Sequence, residues 1–175
     1  MYWLDSAYEA VSRFMDMGGN VLWLIAMLLF FMWMLIFERV WYFKSGWRKD
    51  AAKAIATWEG RSERKSWNAM QIREKLLSEA RIQINQYLPV IKTMVALCPL
   101  LGLLGTVTGM IEVFNIMAVT GGGDAKSMAG GVSRATIPTM AGMVAALSGV
   151  FANTYVTRIA QRESVFLEDN LTTDH

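Results

Sequence analysis

The chain has 175 residues, of which 54% are hydrophobic and 18% charged, with a formal net charge of +2. One cysteine (Cys98) and one histidine (His175) exclude a disulfide framework and thiolate metal site, and argue against haem, zinc or His-based catalysis. Three uncharged runs decide the class: Val21–Phe37, Thr93–Ile111 and Ala135–Thr157, of 17, 19 and 23 residues. Each is close to the ~20 residues that a membrane-spanning helix needs, so an all-α membrane protein with three transmembrane helices is expected.

Residues 1–17 come first. Trp3, Leu4, Ala7, Tyr8, Val11, Phe14 and Met15 recur at helical spacing, with Asp5, Glu9, Arg13 and Asp16 between them. This predicts an amphipathic helix on the membrane surface or packed on other subunits. Gly18-Gly19-Asn20 breaks it and turns the chain into transmembrane helix 1, over 18–43. No basic leader precedes the first apolar run, so no cleavable signal peptide is expected. The span ends in Glu38, Arg39, Trp41, Tyr42 and Phe43. The Glu-Arg pair reads as an interfacial anchor that snorkels to water, in preference to a transport site.

Residues 44–92 hold 11 Lys/Arg against 5 acids, whereas 1–17 hold one Arg against three acids. By the positive-inside rule the middle region is cytoplasmic and the N-terminus lies outside. Contact with anionic lipid suits such a loop. Nucleic acid does not, since acids are interspersed and no binding motif occurs. Helices are expected over 47–58 and 66–88. Met70, Arg73, Leu77, Ala80, Ile84, Tyr87 and Ile91 form a stripe that needs a partner: the 47–58 helix or residues 158–170. An interruption is expected near Pro89.

Transmembrane helix 2 covers 93–119, a Gly-rich outer loop 120–129, transmembrane helix 3 130–157, and a cytoplasmic helical tail 158–175. The first span is bulky all round, as lipid contact allows. The other two carry Gly102, Gly105, Gly109, Gly142 and Gly149 among Ser, Thr and Ala. Such residues let membrane helices approach closely, and the same face could line a narrow pore. No strand precedes these glycines, so they are no dinucleotide fingerprint.

Four polar positions stand out. On antiparallel helices, residues share a depth when their numbers share a sum, and Thr106/Thr139 and Glu112/Arg134 differ in that sum by one. One register therefore sets two threonines level in the interior and a Glu level with an Arg at the outer edge. The threonines could relay protons through water, or merely bond their own backbones. Glu112 and Arg134 could pair, within one subunit or between neighbours, or each could reach water alone.

Pro99-Leu-Leu-Gly-Leu-Leu-Gly-Thr-Val-Thr-Gly-Met-Ile-Glu-Val-Phe114 resembles the second-span signature of the ExbB/TolQ/MotA proton-channel family, and Gly131–Gly142 fits its third span. Three spans, with the N-terminus outside, resemble ExbB or TolQ more than four-span MotA. The compact loop is similar to second-type ExbB proteins of accessory TonB systems. The resemblance implies a homopentamer of a Gram-negative inner membrane with a central pore. Thr106 and Thr139 would line its proton pathway. A single-span ExbD-like partner would supply the titrating Asp, and a TonB-like protein would carry the motion to the outer membrane. No cofactor is implied, and no enzyme activity. One departure is that Arg134 stands where the family commonly has a glutamate. Alternatives are a TolQ-like role in envelope constriction, or a non-conducting membrane scaffold.

Overall fold

The computed structural model describes residues 2–61, 63–121 and 125–171. Gly122, Gly123 and Asp124 of the expected loop, and His175, lie outside them. Five helices follow in order: α1 Tyr2–Ser45, α2 Trp47–Glu59, α3 Trp67–Asn85, α4 Leu88–Thr120 and α5 Ala125–Asn170. Three helical stretches, Tyr8–Ser45, Trp67–Val119 and Met128–Asn170, are long and apolar enough to cross a membrane. The chain forms two compact units, Met1–Trp33 with Thr93–Val150, and Met34–Lys92 with Phe151–His175.

In the first unit, α1 is broken at Gly19, whose φ of 63° and ψ of −160° are non-helical. Positive φ costs a side-chain-bearing residue steric strain and glycine none, which is why the turn sits there. Below it, Leu22 and Ile25 pack with Cys98 of α4 and Ala145 of α5 in a buried cluster. The remaining faces of α1 expose Trp23, Met27 and Phe30, bulky side chains suited to lipid. Before the break, Tyr8 and Val11 are also exposed, so these two side chains of the amphipathic segment's apolar face are left uncovered by this chain.

The second unit is built around α3. Leu77, Ala80, Ile84 and Ile91 of the predicted stripe are buried, whereas Met70 and Tyr87 are exposed. Both expected partners meet α3. Trp47, Ala54 and Thr57 of α2 and Leu167 of α5 border a common crevice with Leu76, Ala80 and Gln83. The Arg73 guanidinium donates to the Leu171 and Glu168 carbonyls. It thereby satisfies acceptors that the C-terminus of α5 leaves open, where a cation is also favoured. Arg81 pairs with Glu168 at 3.1 Å, and Trp47 Nε1 donates to Glu163 at 2.8 Å.

The α3–α4 interruption falls earlier than Pro89. Gln86 is extended and Tyr87 has a φ of 65°. Pro89 instead occupies the first turn of α4, where a missing N–H costs nothing. Arg39 explains how a tyrosine tolerates this backbone. Its guanidinium donates to the Gln83 carbonyl at 3.0 Å and lies 4.8 Å from the Tyr87 ring centroid. It also meets Glu38 at 3.0 Å and the Tyr42 ring at 5.1 Å. With 2% of its surface exposed, Arg39 does not snorkel to water as expected. It braces the elbow between α3 and α4.

Candidate functional site

Spans two and three meet in the first unit through glycine. A methyl group built on Gly102 would lie 2.9 Å from the Thr139 Cα, and one on Gly142 would lie 2.5 Å from the Cys98 carbonyl. One on Gly109 would lie 2.8 Å from the Ala135 Cβ, and one on Gly149 2.7 Å from the Val95 Cγ2. Gly105 faces the Pro138 ring in the same way. These contacts run antiparallel along α4 and α5, and backbone meets backbone where Gly102 crosses Gly142. Side chains larger than hydrogen are excluded there by space.

The same contacts fix the register. Thr139 lies opposite Gly102, Pro138 opposite Gly105, and Ala135 opposite Gly109. Thr139 is therefore level with residues 102–105, and Thr106 stands one to four residues further on, roughly 2–6 Å at ~1.5 Å per residue. The two hydroxyls also differ in use. Thr106 Oγ1 donates to the Leu103 carbonyl of its own helix at 2.7 Å. Thr139 Oγ1 donates across the interface to the Gly102 carbonyl at 2.9 Å. Thr139 thus joins the two spans by a hydrogen bond, a role that depth matching alone did not reveal. Both side chains are half-buried.

Glu112 and Arg134 come to one cavity of about 540 Å³. Neither forms an ion pair with the other or with any described residue. Glycines 105, 109 and 131 wall the same cavity. Among the described residues no group of three His, Cys, Asp or Glu side chains could hold a metal ion. The site offers hydroxyls, backbone carbonyls and unpaired charges at the end of the spans. It contains no carboxylate between Thr93 and Ile111 or between Ala135 and Thr157. Such a lining can guide water and protons but holds no titrating acid within the spans.

Residues 42–169 match the model of the MotA/TolQ/ExbB proton channel family. The chain is 50% identical over 60 residues to "Putative biopolymer transport protein ExbB-like 1" of Synechocystis sp., covering 33% of this chain and 24% of that protein. It is 36% identical over 96 residues to "Biopolymer transport protein exbB1" of Vibrio cholerae, covering 54% of this chain and 42% of that protein. A second Synechocystis protein, "Putative biopolymer transport protein ExbB-like 3", is 33% identical over 75 residues, covering 41% and 36%. The chain thus spans less than half the length of each of these relatives. The family is one of transport subunits and not of enzymes. With a family match across most of the chain and three helices able to cross a membrane, this multi-pass membrane protein belongs to the MotA/TolQ/ExbB proton channel family.

Proposed function

We propose that this chain is the proton-channel subunit of an ExbB–ExbD–TonB type complex, coupling proton flow across the inner membrane to import across the outer membrane. The observation that carries the reading is the α4–α5 crossing: small, hydroxyl-bearing and free of internal carboxylates. A proton path needs a group that titrates in the membrane. Here it must come from elsewhere, and a single-span ExbD-like helix bearing an Asp fits that need. Several copies of the chain, five by analogy with the family, would enclose that helix with their second and third spans. The basic segment 44–92 and the tail would lie in the cytoplasm, and the N-terminus outside.

The test is transport. Thr106→Val and Thr139→Val keep volume and remove the hydroxyl. Energised uptake should fall at least tenfold in each while the assembled complex is still recovered. An interhelical hydrogen bond in a membrane contributes only ~0.6 kcal/mol on average, too little for its loss to dissolve the fold. Normal uptake in both variants would remove the proton-path role and leave a scaffold.

A further inference from the structure

The elbow of α1 closes one side of the cavity that holds Glu112 and Arg134. Its wall there is Asp16 with Gly18, Gly19 and Asn20. Thr108 also lines the cavity, its hydroxyl donating to the Leu104 and Gly105 carbonyls at 3.0 and 3.1 Å. Three ionisable side chains, from three helices, therefore share one space of about 540 Å³. Among the described residues none of the three has an ion-pair partner. A charge at the edge of a membrane is held by a partner or by water. All three side chains are exposed and have no partner within this chain, so water reaches them, and a cavity of this size with polar groups in its wall has room for many molecules. Two carboxylates against one guanidinium leave negative charge in excess. A hydrated cleft of one net sign between low-dielectric walls concentrates the opposite ion.

We propose that this cavity is an aqueous vestibule that concentrates small cations, hydronium among them, with Asp16 at the elbow as its collecting group beside Glu112. Delivery of those protons to the α4–α5 crossing rests on the proton-channel reading and on an outward-facing N-terminus; the hydrated, cation-attracting cavity rests on neither. Arg134 keeps the excess to a single charge, so that a cation is attracted without being trapped.

Cysteine labelling tests the cavity without transport. Cys98 is buried and is the only cysteine, so a Cys98→Ser background is clean. Thr108→Cys and, independently, Ile116→Cys place a reporter in the lining. Val119→Cys, at a position 88% exposed, is the open control. Native membranes carrying the complete complex are treated with a cationic and an anionic methanethiosulfonate of similar size. Both lining positions should react, and their preference for the cationic reagent should exceed that of the control by about tenfold, at the low end of electrostatic focusing. Asp16→Asn with Glu112→Gln should bring that preference down to or below the control's. No reaction at either lining position, with the control labelled, would show a dry cavity and overturn the proposal. So would reaction without charge preference. Uptake supplies the last arm. Asp16→Asn should slow it most when external protons are scarce. Unchanged uptake at every external pH would overturn the delivery step, while the threonine variants still report on the channel itself.

Discussion

Arg39 shows how far a single residue can depart from its sequence context. Its sequence setting, among Glu38, Trp41, Tyr42 and Phe43 at the end of an apolar run, is that of an interfacial anchor. The structure spends it on the Gln83 carbonyl and the Tyr87 ring, neither of which adjacency in sequence could supply. Arg39→Gln should cost on the order of 2 kcal/mol, the range for a hydrogen bond to a charged group, read as a lower midpoint of thermal unfolding in detergent. Arg39→Lys should recover little of it, because an ammonium lacks the planar fork that bonds and stacks at once. Full recovery by lysine would mean that charge alone matters. Thr139 is the opposite case. Its place was legible as a polar residue in a small-residue face, but its partner was not. The hydroxyl reaches Gly102 because glycine lets the backbones close.

At the scale of elements, the glycines of α4 and α5 divide by what surrounds them. Gly142→Leu puts a side chain against the Cys98 carbonyl and the Gly102 backbone, neither of which can give way without separating the helices. A cost of at least 1–3 kcal/mol, the usual penalty for overpacking, is expected, with less assembled complex recovered. Gly130→Ala meets nothing within 4 Å and lies in a helix, so it should be neutral or stabilising by up to ~1 kcal/mol. Equal yields from the two variants would contradict the close crossing. The elements themselves were largely readable. Apolar length gave three membrane helices, and Gly18-Gly19-Asn20 marked a break that the structure has at Gly19. The α3–α4 interruption expected near Pro89 falls two to three residues before it, at Gln86 and Tyr87, since proline signals where a helix can begin as well as where one ends. Tyr87 carries no sequence mark of a positive φ, because the contact that holds it comes from a residue 48 positions earlier. Depth matching set Thr106 level with Thr139. The observed register departs by up to a turn, because it is set by which glycine admits which neighbour.

For the whole molecule, one chain supplies hydroxyls, carbonyls and, at the ends of its spans, charges unpaired within the chain, but no acid within the apolar runs of its second and third spans. The exposed Tyr8 and Val11 before the break, and Phe114, Met140 and Phe151 along the later spans, leave large apolar faces for lipid or for other chains. The account therefore stands or falls on what assembles around this chain. The decisive measurement is the mass and composition of the complex released gently from its native membrane through a tag on this chain. The account predicts several copies of the chain, five in the simplest case, holding a single-span protein with one membrane-embedded aspartate. A homo-oligomer without any acid-bearing partner, obtained across several detergents, would contradict it.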